Sequence, residues 1–295
     1  MNTLTRSDKV FNAVIIFIGL LIMLVMAYPL YFVVIASFSS PHAVLTGKVT
    51  FMPVGVTLDS YHEVFKDTEI WKGYGNTVFY TLLGTCINMV MTTLCSYPLS
   101  RRDMPLRGFL TFMCSFTMIF SGGMIPTYLV VKQLKITNTI WAMVIPCALS
   151  TYNMLVMKNY FQSSIPWELQ EAASIDGCSD FKLLLTIILP LSTPIIAVLV
   201  LFYAVMHWNA YFNALIYLSN KDLYPLQVVL RSLLLQNSLA SGGDVGDSFG
   251  MYERVMRGEA MKYAVIIVSS LPVLIMYPFV QKYFVKGIMV GAIKG

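Results

Sequence analysis

Residues 163–190 read SSIPWELQEAASIDGCSDFKLLLTIILP, a patterned segment that lies between two apolar parts of the chain. Pro166 predicts the start of a helix, because proline is tolerated in the first turn, where its missing N–H is not needed. Glu168 and Glu171 fall in the early turns, where the helix dipole favours acidic side chains. Gly177 predicts the end of the helix, because the residue after the last turn commonly has a positive φ. The segment therefore predicts a short surface helix whose exposed acids and small alanines suit docking into a partner's groove.

A second helix is predicted in the same segment. Ser179 is expected to cap its start. The helix is expected to run to Ile188, and Pro190 is expected to break it before the next apolar stretch. Transmembrane helices can be joined without a surface helix of this kind. The segment is therefore predicted to carry function.

The composition excludes an ordinary soluble protein. Hydrophobic residues make up 57% of the 295 residues, and Asp, Glu, Lys and Arg together make up 12%, against about 25% charged residues in an ordinary globular protein. Apolar residues are also too plentiful for a disordered chain. The net charge of +5 is mild and forms no block of like charges that would indicate nucleic-acid binding. The composition predicts a polytopic membrane protein.

Stretches without Lys, Arg, Asp or Glu mark the predicted spans, because a charged side chain at the bilayer centre is costly. Six such stretches have at least 19 residues: 10–47, 73–100, 108–131, 136–157, 183–220 and 263–281. A helix needs about 20 residues to cross the hydrocarbon core. The first span is expected to end near residue 38, and Pro190 and Pro194 limit the fifth to about 192–216. The sequence therefore predicts an all-α polytopic membrane protein with six transmembrane helices.

Basic residues predict the orientation. Arg6 and Lys9 precede the first apolar stretch, which is too long for a signal peptide and is followed by no A-x-A cleavage site. It is predicted to be an uncleaved span with its N-terminus in the cytoplasm, and six crossings then return the C-terminus to the cytoplasm. The two sides carry equal numbers of basic residues, so the best single indicator is the short loop 101–107, which holds three arginines.

The segment 163–190 also carries a family signature. The residues that occupy every fixed position of the loop pattern EAA---G---------I-LP are Glu171, Ala172, Ala173, Gly177, Ile187, Leu189 and Pro190. The chain therefore resembles the permease subunits of binding-protein-dependent ABC importers, and more narrowly the carbohydrate permease family that includes the maltose permease and the complex-oligosaccharide permeases. The resemblance covers roughly residues 10–295, and it departs at Cys178, where relatives usually have alanine.

The resemblance implies a type I ABC importer permease fold with six spans and both termini in the cytoplasm. It implies a first helix and outer loop over 1–72, a five-helix core over 73–283 that contains the coupling loop 163–190, and a cytoplasmic tail over 284–295. The implied localisation is the plasma or inner cell membrane. The implied partners are a second homologous permease subunit, two cytoplasmic ATPase subunits and an extracellular solute-binding protein, within the lipid bilayer and without nucleic acid.

The resemblance also implies roles for particular residues. Glu171 is expected to enter a cleft on the ATPase, while Ala172, Ala173 and Gly177 permit close approach. Asp176, Leu189 and Pro190 complete the predicted coupling residues, and Gly291, Lys294 and Gly295 are predicted to lie in a tail that reaches between the ATPase subunits. We expect permease function to follow from movement that the ATPase dimer drives through this loop.

The sequence predicts no catalytic residue, metal site or cofactor in this chain. It has no GxxxxGK[ST] phosphate loop, so ATP and Mg²⁺ are expected on the partner ATPase. Five cysteines and three histidines are spaced unsuitably for zinc, and the cysteines are expected to serve packing. The chain is therefore predicted not to be an enzyme.

The fifth span contains the predicted substrate-pathway residues, since sugars offer apolar ring faces and hydroxyl groups that aromatic and amide side chains recognise. These residues are Tyr203, His207, Trp208, Asn209, Tyr211 and Asn213. One helix face is expected to hold Tyr203, His207 and Tyr211, which repeat every four residues. Asn209 and Tyr211 are the preferred contacts. The alternative is that these side chains serve only packing or an interfacial belt, with His207 a hydrogen-bonded polar group and no proton carrier.

Weaker pathway predictions fall on the second and third spans. They are Asn88, and Thr127 or Tyr128. The pair Gly122-Gly123 together with Pro126 predicts a bent or closely packed third span.

Two other classes of protein are the alternatives to a permease. An ion-coupled secondary carrier normally places carboxylates at membrane depth, but the six apolar stretches contain no Asp or Glu. A membrane-embedded enzyme needs a nucleophile, a metal cluster or paired acids, and no histidine lies beside the acids of the segment 163–190.

Overall fold

The structure is a computed structural model that describes residues 6–240, 256, 258 and 261–278. Every regular element in that part of the chain is helical. The α-helices are α1 Arg6–Ser37, α2 Pro41–Leu45, α3 Asp59–Lys66, α4 Thr68–Ser100, α5 Arg107–Ile119, α6 Met124–Gln133, α7 Trp141–Val144, α8 Thr151–Ser164, α9 Trp167–Ile175, α10 Asp180–Leu183, α11 Leu189–Leu191, α12 Thr193–Trp208, α13 Phe212–Tyr217, α14 Leu226–Ala240 and α15 Met261–Pro278. A π-helical segment, Leu184–Ile188, joins α10 to α11, and short 3₁₀ turns occupy Ile145–Cys147 and Lys221–Leu223.

The chain divides into two compact units. The first comprises Met1–Ile70 with Leu230–Leu271, and the second comprises Trp71–Val229 with Pro272–Gly295. In the first unit, α1 exposes apolar side chains along most of its length, as expected of a helix in lipid or against another protein. Its C-terminal end is held by the following loop, where the Tyr31 hydroxyl donates a hydrogen bond of 2.6 Å to the Phe51 carbonyl.

The second unit is built around α4, which is buried against several helices that follow it in sequence. Ser96 Oγ donates to the Met154 carbonyl in α8 at 2.9 Å, and Thr92 Oγ1 bonds the Tyr203 hydroxyl in α12 at 2.6 Å. Tyr97 lies in an apolar cluster with Phe161 and Leu199. The core of this unit therefore fixes α4, α8 and α12 against one another.

Three described helices are long and apolar enough to cross a membrane: Ser7–Ser37, Thr68–Ser100 and Met261–Pro278. The number rises to five if each of two bent helix pairs is one span. The predicted all-helical architecture is confirmed for the described residues, whereas six continuous spanning helices are not confirmed. The predicted fourth span, 136–157, begins with a turn and contains α7, a 3₁₀ turn with Pro146 in it, and the first part of α8, so it is not one continuous helix.

The bend predicted for the third span is confirmed. Helices α5 and α6 meet at 113° across a break of four residues, 120–123. Gly123 has φ of 87°, a backbone conformation that residues with side chains rarely adopt. The glycine pair therefore marks the place where the apolar stretch changes direction.

Two details predicted for the fifth span are wrong. Pro190 does not break the second helix of the loop, because the helical run continues through a π-helical segment to Leu191, and the turn of 85° falls at Ser192. The span also does not extend as one helix to about 216, because α12 ends at Trp208 and α13 begins only at Phe212. Proline at the first turn of α11 lacks only an N–H that a helix start can do without, which explains why it is accommodated there.

Candidate functional site

The predicted surface helix of the segment 163–190 is present as α9. It begins at Trp167, directly after Pro166, and ends at Ile175, before Gly177 with φ of 70°. Both the start and the stop signals are therefore confirmed. Ser179 also caps α10 as predicted, since its Oγ accepts a hydrogen bond from the backbone N–H of Lys182.

One face of α9 packs into the chain and the other is exposed. Gln170 and Ala173 are buried, whereas Glu168, Glu171 and Ala172 are exposed. The apolar side chain of Ile175 is 86% exposed at the end of the helix. The exposed face thus combines carboxylates with apolar groups, a combination suited to a protein partner.

The two alanines that the resemblance assigned to close approach lie in different environments. Ala172 is exposed, but Ala173 is 7% exposed and lies in the same apolar cluster as Leu183 and Ile188. The small size of Ala173 therefore lets α9 lie close to α10 and the π-helical segment of its own chain. Leu189 packs against the same cluster, while Pro190 and Asp176 are exposed.

The carboxylate of Glu171 is oriented by a neighbour one helical turn earlier. Trp167 Nε1 donates a hydrogen bond of 2.6 Å to Glu171 Oε1. The carboxylate has a second oxygen, so this bond restricts its position while the group stays exposed. Glu171 is a pre-oriented acidic group on the surface of α9.

Arg101 joins the end of α4 to this region, a role that sequence reasoning missed. Its guanidinium bonds Asp103 through two nitrogens, at 2.9 and 2.5 Å, and bonds Asp180 at 2.7 Å. Its Cζ also lies 5.9 Å from the ring centroids of both Tyr97 and Trp167. The side chain of Arg101 is only 15% exposed, whereas those of its two acidic partners are 53% and 72% exposed.

The charges of this cluster change the protonation equilibria of its members. The hydrogen bonds from Arg101 lower the pKa of Asp103 below its ordinary value. The pKa of Arg101 is raised, chiefly by its hydrogen bonds to Asp103. Both groups are therefore charged at neutral pH. Through Arg101, the cluster links the end of α4 to the loop that follows it, to Trp167 in α9 and to Asp180 in α10. The three arginines of loop 101–107 indicate orientation, but no spacing rule in the sequence pairs Arg101 with Asp180.

Gly177 offers a direct test of the turn after α9. A Cβ at this position meets no atom of the described residues within 4 Å, so it is the positive φ that disfavours a side chain here. We expect Gly177→Val to cost about 1–2 kcal/mol of local stability and, if the ATPase subunits implied by the resemblance dock on this segment, to reduce their recovery with the chain on affinity purification.

Gly177→Asn is the matched control, because asparagine tolerates a left-handed backbone far better than valine. Recovery with the asparagine variant should stay close to that of the unmodified chain. Equal recovery for valine and asparagine variants would contradict a requirement for positive φ at this turn.

The predicted pathway residues separate into two groups. A cavity of about 210 Å³ is lined by His207, Asn209, Tyr211 and Asn213, together with Cys147 and other residues of the second unit. Asn209 and Asn213 are anchored inside the unit, through bonds to the Val205 carbonyl and to Cys147 Sγ. The Tyr211 side chain is 41% exposed. These residues present amide and aromatic groups to one space.

The end of α12 at Trp208 brings the residues that line the cavity together. The prediction that Tyr203, His207 and Tyr211 share one helix face is wrong. Tyr211 does not share a helix face with Tyr203 and His207, because α12 ends at Trp208. The chain turns at Asn209, which forms the C-cap of α12. The residues meet because the helix ends and the backbone turns at this point, a feature that four-residue periodicity cannot predict.

Tyr203 and Trp208 lie apart from the cavity and serve packing. The Tyr203 hydroxyl bonds Thr92 Oγ1 at 2.6 Å, and Tyr203 is fully buried. Trp208 is 5% exposed and meets the ring of Tyr74 edge to face at 5.6 Å. For these two positions the packing alternative describes the geometry.

His207 is the hydrogen-bonded polar group that the sequence predicted as the alternative to a proton carrier. Its Nε2 lies 2.6 Å from Asn88 Oδ1, and Asn88 Nδ2 donates to the Cys147 carbonyl at 2.5 Å. Asn88 is fully buried, so it supports His207 and does not face the cavity. A chain of hydrogen bonds therefore links α4, α12 and the 3₁₀ turn at Cys147.

The two residues weakly predicted to line the pathway on the third span, Thr127 and Tyr128, both contact other residues of this chain. Thr127 Oγ1 donates to the Gly123 carbonyl at 2.8 Å, and Tyr128 stacks on Tyr217 with centroids 6.1 Å apart. The predicted tail residues Gly291, Lys294 and Gly295 lie outside the described residues. Within the described ranges, no group of three or more His, Cys, Asp or Glu side chains is arranged to hold a metal ion.

Comparison with known proteins identifies the family. No family model matches the chain. The chain is 41% identical, over 98% of its length and 99% of the relative's, to the polygalacturonan/rhamnogalacturonan transport system permease protein YtcP of Bacillus subtilis (strain 168). It is 39% identical to protein LplC of the same organism, over 99% of this chain and 97% of the relative.

A solved structure agrees with these relatives. The fold matches a bacterial ABC transporter involved in the import of the acidic polysaccharide alginate, with a TM-score of 0.87 and 32% identity, over 96% of this chain and 100% of the matched chain. Both the predicted resemblance and the prediction that the chain is not an enzyme are thereby confirmed. The chain belongs to the carbohydrate permease family of ABC importers, and it is an integral membrane permease subunit.

Proposed function

We propose that this chain forms one half of a pathway through which an ATP-driven ABC importer moves a sugar or oligosaccharide into the cytoplasm. The observation that carries the proposal is 41% identity to a carbohydrate permease along nearly the whole chain. The ion-coupled carrier has no comparable support, since its expected carboxylates are missing from the apolar stretches of the sequence.

Coupling to separate ATPase subunits is proposed to pass through α9. Glu171 is exposed and held by Trp167, so it is available to a cationic group on an ATPase without first being ordered. Movement of α9 is then passed to α4, because Arg101 contacts Trp167 and bonds Asp180 while it sits at the end of α4. ATP and Mg²⁺ are proposed to bind only to the ATPase subunits.

Membership of the family supports a proposal for the remaining parts of the assembly. We propose a second homologous permease, two cytoplasmic ATPases and an extracellular solute-binding protein, all assembled at the plasma or inner cell membrane. Six crossings with both termini in the cytoplasm are proposed, with the α5–α6 and α10–α12 bends inside spans and α7–α8 forming the interrupted fourth crossing. Interrupted helices at membrane depth are tolerated where they are buried in protein or line a cavity.

An acidic oligosaccharide is the proposed cargo class. One relative carries polygalacturonan in its name, and galacturonan is a polymer of a sugar acid, while the matched structure imports an acidic polysaccharide. The cavity that holds Asn209 and Tyr211 has amide and aromatic groups for the hydroxyls and ring faces of such a sugar.

Uptake by the reconstituted complex tests this proposal. The permease pair, the ATPase and the binding protein are placed in liposomes, and uptake of labelled oligogalacturonides is measured with ATP and without it. We expect uptake only with ATP. Transport without ATP or without the ATPase subunits would overturn the proposal in favour of a carrier.

Variants of the cavity test where the cargo passes. We expect Asn209→Ala and Tyr211→Ala each to lower uptake about fivefold or more, because loss of one well-placed hydrogen bond or ring contact costs about 1 kcal/mol or more. Asn159→Ala and Tyr152→Ala are matched controls, since both side chains are exposed on α8 and neither lines the cavity. Equal uptake by the cavity variants and the controls would contradict a pathway at this site.

A further inference from the structure

A second cavity, of about 490 Å³, lies in the second unit next to α9. Its walls come from the end of α4, the start of α5, the end of α8 and the start of α9, and the lining residues are Ser100, Arg102, Arg107, Phe161, Gln162, Ile165, Trp167 and Gln170. No substrate-pathway residue lines it. Unlike the cavity near Asn209, it presents two guanidinium groups.

The two arginines carry charge that the described residues do not neutralise. Neither Arg102 nor Arg107 forms a salt bridge within the described part of the chain, whereas the neighbouring Arg101 is bound by two carboxylates. Arg102 lies over the Trp167 ring with its Cζ 5.8 Å from the centroid, and Arg107 donates to the Arg101 carbonyl at 3.2 Å. Both cations are thus held in place by contacts that leave their charge uncompensated.

A third cation, Lys158, lies near Arg107 but does not line the cavity. Burial and the charge of Arg107 lower the pKa of Lys158, so Lys158 lies within electrostatic reach of Arg107. Neither acid of α9, Glu168 or Glu171, lines the cavity, and Glu171 accepts the hydrogen bond of Trp167. The cavity is therefore suited to an anion.

Gln170 gives the observation that points to a particular kind of anion. Its side chain is 6% exposed, and its Oε1 has no hydrogen-bond partner within the described ranges. A buried acceptor without a partner costs about 1–3 kcal/mol, and such groups are rare in native proteins. A hydroxyl group of a bound molecule would satisfy Oε1, while Arg102 and Arg107 favour a negative charge on the same molecule.

We infer that this cavity binds a phosphate ester that also carries a hydroxyl group. Arg102 and Arg107 bind the phosphate oxygens, as paired guanidinium groups do well, and the hydroxyl donates to Gln170 Oε1. Two sources share this chemistry: the headgroup of an anionic glycerophospholipid such as phosphatidylglycerol, or a soluble ester such as glycerol 3-phosphate. Basic pockets between transmembrane helices on the cytoplasmic side are suited to anionic headgroups, and loop 101–107 is the one that the sequence assigns to that side. The inference concerns a site separate from the sugar pathway and does not depend on the cargo or on ATP coupling.

Native mass spectrometry of the purified full complex tests the inference. The delipidated complex is titrated with phosphatidylglycerol, with phosphatidic acid and with phosphatidylcholine, and bound lipids are counted. We expect one site with a preference for phosphatidylglycerol. The double variant Arg102→Gln/Arg107→Gln should bind about 30-fold more weakly, from about a factor of five for each basic residue.

The double variant Lys132→Gln/Lys135→Gln is the matched control. It removes the same charge at the loop that the sequence places on the opposite side of the membrane, and it should leave the site unchanged. If the double arginine variant does not assemble, Arg102→Gln alone serves, because Arg102 is exposed. Equal binding by the unmodified, arginine and lysine variants would overturn the inference.

Two further measurements separate the components of the ligand. Gln170→Leu should abolish the preference for phosphatidylglycerol over phosphatidic acid while phosphate binding persists, and a preserved preference would contradict the role of Gln170. Displacement of the bound lipid by millimolar glycerol 3-phosphate, with the same dependence on the arginines, would assign the site to a soluble ester, and resistance to displacement would assign it to the lipid. Failure of all these phosphate esters to bind would overturn the inference even in a complex that transports sugar normally.

Discussion

Replacement of Glu171 by lysine is expected to leave the protein inserted in the membrane and to lower ATP-driven uptake about 30-fold or more. The carboxylate is exposed, and Trp167 Nε1 holds it at 2.6 Å, so it is presented to a partner in a fixed position. Loss of one member of a charge pair buried at an interface costs about 2 kcal/mol or more. The measurements are uptake and the stimulation of ATPase activity by loaded binding protein, both in the reconstituted complex.

Glu168→Lys is the matched control for this prediction. Glu168 is also an exposed acid, on the same helix, in its first turn, and the substitution makes the same change of charge. It should lower uptake much less, because only Glu171 is held in place by Trp167. Unchanged uptake with Glu171→Lys, or equal losses in the two variants, would remove the coupling role assigned to Glu171.

Trp167→Phe tests whether the orientation of the Glu171 carboxylate matters in addition to its charge. Phenylalanine keeps an aromatic ring beside Arg101 and Arg102 but lacks the indole N–H that binds Glu171. An intermediate loss of ATPase stimulation is expected, since the carboxylate remains but must be ordered when the partner binds. In the proposed coupling, the same bond lets an exposed acid act as a specific contact.

Local signals predicted α9 well, because each of its boundaries depends on one residue. Pro166 sets the entry, and Gly177 supplies the positive φ of the exit. Such features are encoded within a few residues and do not depend on the remaining fold. The same is true of the bend at Gly123.

The arrangement of the predicted pathway residues 203–213 could not be predicted in the same way. The apolar stretch 183–220 lacks charge throughout, so hydropathy cannot locate the turn at Ser192 or the end of α12 at Trp208. A bilayer span requires only apolar side chains, and the position of a break depends on which helices lie beside it. Residues 209–213 therefore meet in a cavity for reasons that appear only after the chain is folded.

The Arg101 cluster shows a second limit of sequence reasoning. Arg101 and Asp180 are far apart in sequence, and neither position is marked by a spacing rule. The resemblance assigned close approach to Ala173 on the ATPase side, but its burial among Leu183 and Ile188 is a property of the folded loop. A family signature thus identifies residues that need to be small or charged, but it does not identify the residue or subunit that they contact.

Gly84→Val is expected to have the largest effect on stability. A Cβ at Gly84 would overlap the ring of His207, which is buried against α4 at this point. Small residues allow membrane helices to approach closely, and the ring can move only by breaking its bond to Asn88 Oδ1. Overpacking costs about 1–3 kcal/mol, and each buried polar group that loses its partner adds about 1–3 kcal/mol.

Thermal unfolding of the purified permease complex in detergent measures this effect. We expect Gly84→Val to lower the midpoint on the order of 10 °C, since about 1 kcal/mol shifts it by a few degrees in a chain of this size. Gly75→Val is the matched control: Gly75 lies in the same helix, it is exposed, and an added Cβ meets no atom within 4 Å. Valine is also a better helix former than glycine, so the control should be neutral or slightly stabilising. Equal unfolding midpoints for the two variants would mean that α4 and α12 do not meet at Gly84 and His207. The hydrogen-bonded chain from Cys147 through Asn88 to His207 could then not be what fixes the cavity wall.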